Sequence, residues 1–268
     1  MWNKRKDEIT MKLEDVSKQI STPFDAPAFP RGPYRFNNRE FLNIYYRTDI
    51  EALRKIVPEP LEIDEPIVKF EVINMPDVTG LGSYVEVGQV IPVTYNGEKA
   101  DYIHCMYLDN FGAIAAGREA GAYPKKFGKG NLYIDSDTLV GTLDYGSLRV
   151  ATATLGYKHA PLDAEEAREE ISKPYYMVKH MRGQNGQPRI CELVRGEIKD
   201  VTIKGAWKSP ARLQLFAHVL APLSDLPVHE VVYASHILTD LTLPRTEVVY
   251  DYLAATQPKV EKELVHQK

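Results

Sequence analysis

The chain has 268 residues, 44% of them hydrophobic, and a formal net charge of −4; this allows a sizeable core in one large domain or two small ones and speaks against nucleic acid as a partner. Cys105 and Cys191 lie far apart and outside any CxxC motif, which argues against a disulfide framework or zinc knuckle and for reduced core cysteines in a cytoplasmic protein. The segment from Met1 to Glu14 is charged, and no apolar run approaches about 18 residues, so neither a secretion signal nor a membrane partner is expected.

Ile9, Leu13, Val16 and Ile20 recur at helical spacing and Pro23 stops the pattern, which predicts an amphipathic N-terminal helix within 1–22. The proline- and aromatic-rich stretch 23–36 reads as an extended arm packed across a sheet rather than as a linker. A strand follows at 39–47. Thr48 and Glu51 then form a capping-box pair ahead of Ile50, Leu53, Ile56 and Val57, and Pro58 ends that helix. Strands are expected at 66–75 and 83–95, and Asn96-Gly97 predicts a hairpin into a strand at 101–108. Gly112 to Ala120 reads as a short helix.

Further strands are expected at 131–135, 138–144 and 146–157. Asp163 and Glu166 resemble a cap on a charged helix ending at Ser172. Asn185-Gly186 joins strands at 174–181 and 189–206. Residues 211–219 fit either helix or strand, 228–242 a strand, and 245–255 a closing helix before the tail at 254–268. With no internal repeat and no domain linker, the chain reads as a single domain over 1–268. Many strands, tight turns and few crossover helices predict an α+β, mainly β fold: a closed antiparallel sheet with peripheral helices.

The stretch with most chemical content is Ala120-Gly121-Ala122-Tyr123-Pro124-Lys125-Lys126-Phe127-Gly128. A surface lysine is protonated and inert; a nucleophilic one needs burial or a neighbouring cation. This stretch offers apolar neighbours, a rigid proline and a second lysine, although by itself a Lys-Lys pair also fits a solvated loop. In a strand, adjacent side chains point to opposite faces, so Lys125 and Lys126 do not share one pocket, and burial is the stronger means of activating Lys125. From pattern alone Arg39 fits a surface residue paired with Glu40. Glu71, on a strand face with Ile67, Lys69, Ile73 and Met75, and Glu86, on one with Tyr84, Gly88 and Val90, fit either solvent exposure or a buried site that supplies a partner or raises the pKa. The histidines form no close cluster, Asp135-Ser136-Asp137 lacks the rest of a calcium loop, and the glycines show no nucleotide-binding pattern, so no metal or cofactor is expected.

The same stretch, with Pro27-Ala28-Phe29-Pro30-Arg31-Gly32-Pro33-Tyr34, Asn38-Arg39-Glu40, Val57-Pro58-Glu59-Pro60-Leu61, Tyr107-Leu108-Asp109-Asn110, Gly117-Arg118-Glu119 and the run from Asp135 to Tyr145, closely resembles the acetoacetate decarboxylase family of solvent-producing bacteria over about residues 15–253. The resemblance implies a β-barrel or cone with an interior site in a large homo-oligomer, a dodecamer. It implies decarboxylation of a 3-keto acid, acetoacetate, through an imine on Lys125, with Arg39 on the substrate carboxylate. Glu86 would orient Arg39 and assist proton transfer, Glu71 would have a neighbouring polar role, and Lys126 a secondary one. Two rivals are a Schiff-base aldolase or dehydratase acting on another keto acid, and a non-catalytic barrel that binds carboxylates.

Overall fold

The computed structural model describes residues 11–256. Its strands are β1 (Tyr34–Arg47), β2 (Ile67–Val78), β3 (Gly82–Tyr95), β4 (Glu98–Leu108), β5 (Lys125–Phe127), β6 (Lys129–Asp135), β7 (Thr138–Tyr145), β8 (Leu148–Gly156), β9 (Ala160–Pro161), β10 (Tyr175–Arg182), β11 (Pro188–Gly196), β12 (Lys199–Lys208), β13 (Ala211–Leu215), β14 (Glu230–Leu243) and β15 (Glu247–Asp251). The helices are short: α1 (Leu13–Val16), α2 (Ile50–Arg54), α3 (Phe111–Ala115), α4 (Ala164–Ser172) and α5 (Tyr252–Thr256), with a π-turn at Ala116–Ala120 continuing α3. No helix among the described residues is long and apolar enough to cross a membrane.

A large sheet runs in the order β15-β11-β10-β4-β3-β2-β1-β14-β12-β9, with β5 added to β4, and a second sheet runs β13-β8-β7-β6. The expected closed antiparallel sheet is corrected in two respects. Among the described residues no ladder joins the edge strands β15 and β9, and β4 pairs in parallel with both β5 and β10. The central strands alternate between two environments. Leu42, Ile44 and Tyr46 of β1, Val68, Phe70 and Val72 of β2, and Val87 and Ile91 of β3 pack against Leu139, Leu143, Val150, Ala151 and Leu155 of the second sheet. The opposite face lines a cavity. Burial on both faces explains why β2 is almost continuously buried from Val68 to Ile73.

Local chemistry accounts for most boundaries. Asn96 and Gly97 have φ of 50° and 83°, the left-handed pair a tight hairpin requires. Asp163 caps α4, accepting from the backbone N–H of Glu165 at 2.8 Å and of Glu166 at 3.3 Å. The Thr48–Glu51 capping box does not form: Asp49 is the N-cap of α2, without a side-chain cap bond, and its carboxylate meets His229 Nε2 at 2.7 Å.

The strand expected at 189–206 is two, because β11 pairs with β10 and β15 while β12 pairs with β14, so the chain must change neighbours between them. The closing helix at 245–255 is instead β15 and one turn of helix, since Glu247–Asp251 finds an open edge on β11. Among the described residues of the N-terminal segment one helical turn is present, with Leu13 94% exposed; Ile9 and the tail beyond residue 256 lie outside the described residues.

Candidate active site

Register builds the site. Ser235 pairs with Asn43, Asn43 with Glu71, Glu71 with Gly88, Gly88 with Met106 and Met106 with Lys125, so one straight row crosses six strands and ends at Lys125. Paired residues in a sheet point to the same face, which brings Glu71 and Lys125 to one cavity although 54 positions separate them. Alternation sends Lys126 to the other face. There its Nζ sits over the rings of Tyr107 and Tyr145 at 5.8 and 5.6 Å and donates to the Leu220 carbonyl. Lys126 is absent from the cavity lining and ties β5 to the loop after β13, in keeping with the expectation that it does not share the Lys125 pocket.

The stem of Lys125 runs over the π-turn. A Cβ at Gly117 would lie 2.6 Å from Lys125 Cδ and 2.9 Å from Cε, so only glycine leaves room for the lysine. The backbone is held as well: the Lys125 N–H donates to the Tyr123 carbonyl at 2.8 Å, and Arg118 Nη1 donates to the Lys125 carbonyl at 3.1 Å.

Arg39 is aimed by a bulge. Asn38 has φ of 55°, its N–H donates to Asp240 Oδ1 at 2.7 Å, and Lys204 Nζ bonds Asn38 Oδ1 at 2.7 Å. The β1–β14 register shifts at this point. Phe36 and Arg39, an odd number of residues apart, therefore meet on one side: the guanidinium carbon lies 4.9 Å from the Phe36 ring centre and 4.7 Å from that of Phe41.

The cavity encloses about 560 Å³. The buried charged residues of its lining are Arg39, Lys69, Glu71, Glu86, Asp101 and Lys125, none more than 8% exposed. Lys125 Nζ is 2.9 Å from Glu86 Oε2, a contact not aligned as a hydrogen bond, and Glu86 Oε2 has no other polar partner among the described residues. Lys69 Nζ is 2.9 Å from Asp101 Oδ2 and 3.4 Å from Glu71 Oε2. Arg39 Nε and Nη1 are buried with no hydrogen-bond partner among the described residues.

Burial is the largest influence on Lys125 and pushes its pKa down, but Glu86 and Tyr84 push it up by more, and the amine is held above its ordinary value. The expected cause is present, then, but an adjacent carboxylate reverses the net direction. Burial also raises the Glu71 carboxyl, against the opposing pull of Lys69 and Arg39.

Arg39, Glu71, Glu86 and Lys125 therefore meet, and Tyr123 lines the same cavity with its hydroxyl 2.6 Å from that of Tyr175. Sequence reasoning missed Asp101 and Tyr175 and gave Lys69 no role. Lys69 carried a signal, two residues from Glu71 on the same strand face; Asp101 and Tyr175 carried none, because they pair with each other across a parallel β4–β10 contact that no local pattern announces. Glu40, the sequence-level partner for Arg39, instead pairs with His236 at 2.8 Å.

The profile of the family "Acetoacetate decarboxylase (ADC)" matches residues 21–253. The chain is 65% identical over 244 residues to an acetoacetate decarboxylase of Clostridium botulinum, and 67% identical over 244 residues to one of Clostridium beijerinckii. Each match spans 91% of this chain and 99% of the relative. A solved acetoacetate decarboxylase structure superposes with a TM-score of 0.89 at 64% identity, covering 91% of this chain and 100% of the other. The chain belongs to the acetoacetate decarboxylase family.

Proposed function

We propose that this chain decarboxylates acetoacetate to acetone and carbon dioxide through an imine on Lys125. The observation that carries the reading is the pairing of functions in one cavity: a buried primary amine beside a carboxylate, and a buried guanidinium whose Nε and Nη1 have no partner among the described residues. The guanidinium is a carboxylate receptor, and the amine is the means of making an electron sink.

The resting Lys125–Glu86 pair holds the ammonium form. Transfer of its proton to Glu86 Oε2, 2.9 Å away, frees the nitrogen lone pair to attack the ketone carbon, giving a carbinolamine. Glu86 returns the proton to the departing hydroxyl, which leaves as water, and a cationic imine remains. The bond between the α-carbon and the carboxylate then breaks; its electrons move to the imine nitrogen, and carbon dioxide leaves a neutral enamine. The enamine carbon takes one proton from solvent per turnover, and water hydrolyses the resulting iminium to acetone and the lysine ammonium. Arg39 orients the carboxylate in the ground state and loses its partner as the charge moves to nitrogen, so its contribution is to recognition and alignment more than to the barrier.

The two sheets read as the wall of a cone around this cavity within a single domain. Phe111 and Phe127, 74% and 64% exposed, support assembly as a homo-oligomer.

The test is borohydride reduction in the presence of acetoacetate, with peptide mapping and analysis of the released product. Adduct on Lys125 and acetone release are expected, with both lost in Lys125→Ala. An adduct on another lysine, or consumption of acetoacetate without acetone, would overturn the assignment.

A further inference from the structure

Arg39 shares its cavity with three buried carboxylates, Glu71, Glu86 and Asp101, yet its Nε and Nη1 bond to none of them, although guanidinium–carboxylate pairs are among the strongest polar contacts available. Each carboxylate is committed elsewhere. Glu86 is engaged by Lys125 at 2.9 Å, Glu71 by Lys69 at 3.4 Å, and Asp101 accepts a 2.9 Å hydrogen bond from Lys69 Nζ. Lys69 and Glu71 stand two residues apart on one face of β2, and Asp101 reaches them from β4. Lys69 and Asp101 take no step in the reaction. Burying two such charges is costly and brings little net stability, which invites an explanation other than packing.

We propose that Lys69, anchored by Asp101, is a positioning residue that holds Glu71 away from Arg39 and so leaves the guanidinium open to the carboxylate of a keto acid. This inference rests on the reading of Arg39 as the carboxylate receptor. Its physical basis is competition. Lys69 and Arg39 are the two cations that favour the charged form of Glu71. Lys125 is engaged by Glu86, so without Lys69 the other cation that favours charged Glu71 is Arg39, and an incoming carboxylate then has to displace an internal ion pair.

The test uses two separate probes: butanoate, a carboxylate with no ketone to react, followed by titration calorimetry, and acetone, a ketone with no carboxylate, followed by borohydride trapping. Lys69→Met combined with Asp101→Asn removes the pair together and leaves no orphaned aspartate. It is expected to weaken butanoate at least about tenfold, with acetone trapping within about twofold of the parent. Adding Glu71→Gln, which cannot form an ion pair with Arg39, is expected to restore butanoate binding to within about threefold. Glu71→Gln alone keeps the Lys69–Asp101 pair and is expected to bind butanoate as tightly as the parent or more tightly; this arm decides the matter if the combined variant does not fold.

Unchanged butanoate affinity in the combined variant, failure of Glu71→Gln to restore it, or about tenfold weaker binding in Glu71→Gln alone would overturn the role of Lys69. Arg39→Gln separates the two levels. If it leaves butanoate binding unchanged, the reading of Arg39 itself is wrong; if it weakens binding while the combined variant does not, only the role of Lys69 is wrong.

Discussion

Gly117→Ala tests how closely the reactive amine is positioned. A Cβ at residue 117 would lie 2.6 Å from Lys125 Cδ, 2.9 Å from Lys125 Cε and 3.3 Å from Tyr123 Cβ. Carbon atoms pack best at about 3.5–4.0 Å, so the lysine stem or the turn must yield by about 1 Å. The backbone offers no objection, because Gly117 lies outside the left-handed region, and alanine is favoured over glycine in a helical turn by about 0.8–1.0 kcal/mol. Overpacking costs about 1–3 kcal/mol, so the net loss of stability is about 0–2 kcal/mol and the fold survives.

Activity has no such compensation: a misplacement of about 1 Å at a reacting group costs about 10²-fold in rate. The expected result is a kcat lower by about 10²-fold and slower borohydride trapping at Lys125, with a melting temperature within about 4 °C of the parent. A kcat within about threefold of the parent in a folded Gly117→Ala protein would refute the argument that the stem of Lys125 needs the space a glycine leaves.

Lys126→Met removes a cation that faces Tyr107, Tyr145 and the Leu220 carbonyl rather than the cavity. The acid limb of kcat/KM should therefore move by less than about one pH unit, and a displacement of about two would restore Lys126 as a direct electrostatic partner of Lys125. Arg39→Lys should recover little of the activity lost in Arg39→Ala, since a point charge does not reproduce a planar fork; steady-state kinetics of the two variants side by side decide this. Burial lowers His104 from 6.5 to about 4. As pH falls below 6.5 the unfolded chain takes up a proton that the folded chain refuses, so the contribution of His104, about 3 kcal/mol, is present above that pH and lost progressively down to about pH 4. His104→Phe should flatten the urea-unfolding free energy over that window, and an unaltered slope would contradict the burial of the imidazole.

The local elements were legible wherever a residue's own chemistry decided them. The Asn96-Gly97 turn, the Asp163 cap and the alternation that separates Lys125 from Lys126 follow from backbone sterics and side-chain period, and each is found in the structure. The candidate residues Lys125, Arg39, Glu71 and Glu86 were legible through the resemblance, not through any pattern of charge or spacing. What the chain order left open is the arrangement of charges. Asp101 reaches Lys69 because β3 lies between β2 and β4 in the sheet, and Arg39 enters the cavity because a bulge at Asn38 shifts the β1–β14 register. The net direction of the Lys125 pKa is likewise a tertiary property. Burial could be anticipated from apolar neighbours, but its reversal depends on a carboxylate 39 positions away in sequence and 2.9 Å away in space. Electrostatic interaction depends on distance through the fold, and register across several strands sets that distance where no local sequence pattern can.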